Sequence, residues 1–317
     1  MTLLGVLPYW QVGPWDIGPL TLHSFGLAVV IGLFLGLYLA GKRLEKIKGI
    51  APERVHNFGF WCIVFGWSFS HIFEVVTYQP HMILEDPLIL IRVWGSISSV
   101  GGVLGGVIAY LLWCKWNPDE DHLAWGNLGA WTLPFCFFFG RVGCALVHDH
   151  PGQDATEFGP WNWLYEVTGG AVPEVFPLAL EWHDGVIRHD LGFYEAIYWF
   201  FLAVLFYWMG QKPRRRGLYL WLLPLLYAPV RFFLDFLRVQ PGDPLSYGDD
   251  VRYLGLTPAQ YTVIGFFILG VILWYRWRNN PVEKWVIHED PDRAVADGEG
   301  DDKPKKSKKK GKKGKKS

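Results

Sequence analysis

The chain has 317 residues, 51% of them hydrophobic and 17% aromatic, with 18 Trp, 22 Phe and 14 Tyr. Several apolar stretches approach the roughly 20 residues that a helix needs to cross a bilayer, which excludes an ordinary water-soluble domain. The formal net charge of zero hides a segregation: ten of the 30 basic residues lie between Lys303 and Lys316, so the rest of the chain is acidic.

In chain order, the start (MTLLGVLPYWQVGPW) lacks a basic leader and is broken by prolines, so no cleavable signal peptide is expected. Hydropathy predicts seven transmembrane helices, at roughly 22–41, 55–76, 97–115, 125–147, 192–210, 218–237 and 257–276. The fold class is therefore all-α, a polytopic membrane protein. Residues 1–21 form an N-terminal segment, and 22–280 the seven-helix domain. Residues 281–317 form a tail that is Lys-rich at its end, with no apolar residue there to bury and disorder expected. The longest connection, about 148–191, is acidic, Trp-rich and punctuated by Gly and Pro, which reads as a small ordered head.

Loop charges predict the orientation. Alternate connections hold Lys42, Arg43, Lys46 and Lys48, then Lys115, then Lys212, Arg214, Arg215 and Arg216, then the basic tail. The others hold Arg92, Arg188 and Arg252. The N-terminus and the head are expected outside, the C-terminus in the cytoplasm. No internal repeat argues for an inverted-repeat transporter. Cys62, Cys114, Cys136 and Cys144 lie in or beside apolar segments, with no metal-ligand spacing and no disulfide framework.

Three polar groups sit on or beside apolar helices near the extracytoplasmic side. Arg141 is followed by His148, Asp149 and His150 in GRVGCALVHDHPG. Arg231, Asp235 and Arg238 lie in VRFFLDFLR, with 231 and 235 on one helix face. His189, Asp190, Tyr194 and Glu195 open the fifth span. Each group has an inert reading: a satisfied intrahelical pair, a turn histidine before Pro151, a polar interface anchor. A guanidinium in hydrocarbon is costly, however, and usually faces a polar cavity or an anion. Two arginines at similar depth on separate spans can clamp one phosphate through charge-assisted hydrogen bonds. Gly101, Gly102, Gly105 and Gly106 allow close approach of a ligand, or of a neighbouring helix in small-xxx-small packing.

Over about residues 15–275 the chain resembles the prolipoprotein diacylglyceryl transferases of bacterial inner membranes. The resemblance is carried in order by IGPLTLHSFGL, GWSFSHIFEVVTY with His71, ILEDPLILIRVWGSISSVGG, GRVGCALVHDHPG, FYEAIYW, VRFFLDFLR and LGLTPAQ. It implies transfer of the diacylglyceryl group of phosphatidylglycerol to the lipobox cysteine thiol of a prolipoprotein. The implied partners are phosphatidylglycerol, the prolipoprotein signal peptide and membrane lipids; no cofactor, metal or nucleic acid is implied. Arg141 and Arg231 match the family's phosphate-holding arginines. Tyr194 and Glu195 match directly, Arg238 and Gln260 match polar positions, and Asp235 stands where glutamate is usual. Gly101 and Gly102 match the glycines of the third-helix "S-x-H-G-G" pattern.

The chain also departs from that pattern. Val100 replaces the third-helix histidine, Cys144 and Val147 replace two asparagines, and Phe25 replaces a tyrosine. His148, Asp149 and His150 are the expected catalytic residues, with His148 or His150 as the base that Val100 cannot be. A lipid-binding or assembly paralogue on the same scaffold is the alternative, and a lipid transporter a weaker one.

Overall fold

The computed structural model describes residues 6–157, 159–240, 242–243, 245 and 251–285. The disorder expected for the Lys-rich end lies outside the described residues.

Seven helices are long and apolar enough to cross a membrane. They are α1 (Ser24–Lys48), α2 (Pro52–Tyr78), α4 (Ser99–Trp116), α5 (His122–Val147), α7 (Leu191–Gly210), α8 (Leu218–Leu234, continued by a 3-10 turn at Asp235–Leu237) and α9 (Pro258–Trp277). Hydropathy locates each span but stops short at α1. There the helix runs on through polar residues to Lys48 and ends at Gly49, whose φ of 66° is the left-handed cap glycine allows. The other ends follow local chemistry. The side chains of Ser98, Asp121 and Asp190 cap α4, α5 and α7, and Thr257 with Gln260 forms a capping box on α9.

The helices pack as α1 on α5, α5 on α7, α2 on α4 and α8 on α9. The α2–α4 contact explains part of the glycine run. A Cβ on Gly105 would lie 2.3 Å from the Phe65 carbonyl oxygen, and one on Gly101 2.6 Å from that of Phe69. Both glycines are therefore spent on helix packing. Gly102 and Gly106 meet no such limit: a Cβ finds only ordinary contact at the first and nothing within 4 Å at the second.

Aromatic residues fill the core, including Trp113, Trp125, Trp131, Trp199, Phe206 and Tyr219. Arg43, which the loop-charge reading places outside the bilayer, is buried. It donates to the Gly210 carbonyl at 2.7 Å and lies 4.6 Å from the Trp131 ring centroid.

The head adds a little β-structure to the helical fold. Strands β1 (Leu7–Pro8), β4 (Pro151–Asp154), β5 (Leu180–Glu181) and β6 (Ile187–Asp190) form one sheet in the order β1-β5-β6-β4, and β2 (Trp15–Ile17) pairs with β3 (Leu20–Leu22). A short helix, α6 (Gly159–Val167), the α2–α4 link with α3 (Pro80–Glu85), and 3-10 turns at Pro87–Ile91 and Ala155–Glu157 are the other described elements. His71 holds that link, its two ring nitrogens 2.9 and 2.8 Å from the carbonyls of Ser96 and Ile89.

Candidate functional site

Glu195, one turn into α7 and fully buried, is the centre of the charged groups. Arg141 of α5 reaches its Oε2 with Nε at 3.1 Å, and Arg231 of α8 donates from Nη1 to its Oε1 at 2.9 Å. The Tyr227 hydroxyl donates to Oε2 at 3.1 Å. Asp235, four residues after Arg231, lies 2.9 Å from the same Nη1 and accepts from the Thr257 hydroxyl at 2.5 Å. The result is an alternating line, Arg141–Glu195–Arg231–Asp235, in which each charge faces its opposite. Such compensation is what allows four charges to be buried together.

The two arginines, expected from the sequence to clamp one phosphate, converge here upon a carboxylate of the chain itself. Donors remain for a second anion: Arg231 Nε has no hydrogen-bond partner among the described residues. Arg141 Nη2 donates to the hydroxyl of Ser99, beside Val100, at 2.7 Å.

The HDH cluster divides. His148 caps α5 in the left-handed region, φ 51°, and is buried. Its Nδ1 lies 2.5 Å from Asp190 Oδ2, and its Nε2 bonds the Trp10 carbonyl. Both ring nitrogens are engaged in tying α5, α7 and the N-terminal segment together. The turn made at His148 folds the next two residues back toward the charged line. His150 Nε2 then lies 3.0 Å from Arg141 Nη1, and its Nδ1 lies 2.5 Å from Asp149 Oδ1. Cys144, one turn after Arg141, has its Sγ 3.8 Å from Arg141 Nη1. One ligand atom each from Cys144, Asp149 and His150 lies within 4.8 Å of the others, a grouping that could hold a metal ion. Cys144 is buried, whereas the side chains of His150 and Asp149 remain 21% and 39% exposed.

The remaining candidates also have partners beyond the four charges. The Tyr194 hydroxyl turns to His189 Nδ1 at 3.1 Å. Burial pushes the His189 imidazole down to about 4. Gln260 donates to the Phe232 carbonyl at 3.0 Å, holding α9 to α8. The Arg238 backbone carbonyl accepts from Gln153 at 3.0 Å.

Ser99, Tyr227, Thr257 and Trp10 are partners of the site that the sequence reading did not single out. Ser99 and Thr257 carry one available signal, since each lies at the start of a predicted span, on the side of the two arginines.

A family model described as prolipoprotein diacylglyceryl transferase matches residues 14–276. Similar relatives include three proteins named phosphatidylglycerol–prolipoprotein diacylglyceryl transferase. That of Chromohalobacter salexigens is 28% identical over 288 residues, covering 88% of this chain and 97% of its own. That of Pseudoalteromonas atlantica is 29% identical, covering 87% of this chain and 94% of its own. The protein of Glaesserella parasuis is 28% identical, with 83% and 92% covered.

Proposed function

Because the chain belongs to the prolipoprotein diacylglyceryl transferase family, we propose that this transferase moves the diacylglyceryl group of phosphatidylglycerol to the lipobox cysteine thiol of a prolipoprotein, releasing glycerol phosphate. The observation that carries the reading is the convergence of Arg141 and Arg231, from different spans, on a single carboxylate. As the lipid's carbon–oxygen bond breaks, negative charge grows on the phosphate, and fixed guanidinium donors at that point lower the barrier. The unpartnered Arg231 Nε is one such donor.

The thiol must become a thiolate before it attacks. His150 with Asp149, beside Arg141 and open on one side, is the pair that handles its proton. His148, with both nitrogens engaged, instead positions the turn that presents them. The protein is a multi-pass protein of the bacterial inner membrane. Its N-terminus and head face outward and its C-terminus the cytoplasm, a reading supported by the loop charges.

The test is the release of glycerol phosphate from phosphatidylglycerol by purified protein, which should require a lipobox peptide with a free thiol. Release that ignores the peptide, or no release beside an active relative, sinks the reading. Val100, buried at the helix start where the resemblance implies a histidine, favours a second reading, a lipid-binding paralogue. Tight phosphatidylglycerol binding without release is its signature.

A further inference from the structure

We infer that the lipid-facing groove between α5 and α7 is the docking site of the peptide substrate, whose apolar helical stretch lies along it with the cysteine at the extracytoplasmic end. The inference rests on the transferase reading for its substrate and adds the surface that presents the thiol.

The groove is a cavity of about 430 Å³ with an apolar lining throughout. Phe138, Val142 and Leu146 form one wall and Phe193, Ile197 and Phe201 the other, each set spaced i, i+4, i+8 on its helix. Trp10 closes the extracytoplasmic end, its ring centroid 5.8 Å from that of Phe193.

Both walls belong to membrane-spanning helices, so whatever fills the groove lies in hydrocarbon. Two participants in the proposed reaction have that chemistry, the acyl chains of the lipid and the apolar run of the peptide. The packing tells them apart. Phe201 is 65% exposed on the outer side of α7, whereas Glu195 is fully buried on the inner side together with the arginines that meet it. Between the two sides α5 and α7 are in close contact: a Cβ on Gly192 would lie 3.0 Å from the Cys144 Cβ and 3.2 Å from the Ala145 amide nitrogen. A lipid whose phosphate is held by Arg141 and Arg231 keeps its chains on the inner side of that seam, which leaves the groove to the peptide.

The dimensions match. A secretory signal carries an apolar run of about 7–15 residues ahead of its processing site. Phe138 to Leu146 covers about 12 Å at 1.5 Å per residue, room for about two turns of a helix laid alongside. A helix in such a groove inserts apolar side chains at i, i+3, i+4 and i+7 between the two walls.

The direction matches as well. The basic start of a signal peptide stays on the cytoplasmic side, so the cysteine that follows the apolar run emerges at the Trp10 end. There the Trp10 carbonyl is bonded by His148, whose turn presents Asp149 and His150. Their side chains, 39% and 21% exposed, open outward. The thiol therefore meets the proton-handling pair from outside the bundle while the phosphate is held inside it, and the end of α5 stands between the two substrates.

The test uses full-length protein in nanodiscs containing phosphatidylglycerol, and a lipobox peptide with a benzophenone side chain in its apolar run. Irradiation of the wild-type protein should attach the peptide to groove residues of α5 and α7, for the cysteine peptide and its serine analogue alike, since docking precedes chemistry. Val142→Trp and Ile197→Trp fill the groove from opposite walls. In each variant that unfolds cooperatively, the adducts should vanish and the KM for peptide should rise about tenfold or more, with kcat and the KM for phosphatidylglycerol unchanged. Wild-type adducts confined to other surfaces, or an unchanged peptide KM in a filled variant, overturn the inference and leave the transferase reading standing. So does a phosphatidylglycerol with a photoreactive acyl chain that labels the groove and is not displaced by peptide. Groove adducts without any transfer support the docking site and overturn the transferase reading instead.

Discussion

Glu195→Gln keeps the shape of the central side chain and deletes its charge, which leaves Arg141 without its Glu195 ion pair and Arg231 with Asp235 as its remaining one among the described residues, both arginines being 3% exposed. Removing one member of a buried ion pair costs about 3–5 kcal/mol, since the surviving charge stays desolvated. At roughly 2 °C per kcal/mol for a chain of this size, the unfolding midpoint in detergent should fall on the order of 6–10 °C. A double-mutant cycle isolates the cause. Arg141→Ala on the Glu195→Gln background removes a charge that has already lost its partner, so the double variant should be less destabilised than the two single losses combined, by at least about 1 kcal/mol. Transfer should be lost with Glu195→Gln even below the lowered midpoint, because the two guanidiniums are no longer held together. A midpoint within a degree or so of wild type, or an additive cycle, refutes the alternating-charge line.

Other perturbations test neighbouring parts. His148→Ala should destabilise by about 3 kcal/mol, through the orphaned Asp190, and lower the folded fraction's transfer rate only in part; His150→Ala should keep the midpoint and abolish the rate, and a reversed pattern assigns the chemistry to His148. His189, held near 4 by burial, stays neutral where an unfolded histidine near 6.5 takes up a proton. Stability should therefore decline as pH falls from about 6.5 toward 4, by up to about 3 kcal/mol, with a slope that His189→Gln flattens in thermal scans at several pH values. Gly105→Ala should cost about 1–3 kcal/mol because the new Cβ meets the Phe65 carbonyl, whereas Gly106→Ala, facing open space, should leave the midpoint unchanged.

The seven spans were legible because each is a run of apolar residues, a property of the local sequence. The Arg231–Asp235 pair was legible for the same reason: four residues apart on a helix means side by side. Arg141 stood out in the sequence from the cost of placing it, but its partners did not, because Ser99 lies 42 residues away and Glu195 arrives on another span. Only helix packing brings these together. The split of the HDH cluster was hidden for a subtler reason. Three adjacent polar residues look equivalent in sequence, yet one left-handed residue at His148 sends its own side chain into the core and the next two toward Arg141. The same bend gathers Cys144, Asp149 and His150 so that one donor atom of each lies within 4.8 Å of the others, a proximity that their linear spacing does not announce. Cys144 therefore read as one apolar-segment cysteine among four.

In the proposed reaction, two arginines on different spans serve one lipid phosphate while a thiol attacks beside them. Its most direct measurement is the mass of a lipobox peptide after incubation with the purified protein and phosphatidylglycerol. A gain of one diacylglyceryl group on the cysteine is predicted, with Arg141→Ala and Arg231→Ala each lowering its rate by roughly 10²–10³-fold. No gain beside an active relative, or a gain that both substitutions leave intact, contradicts the account.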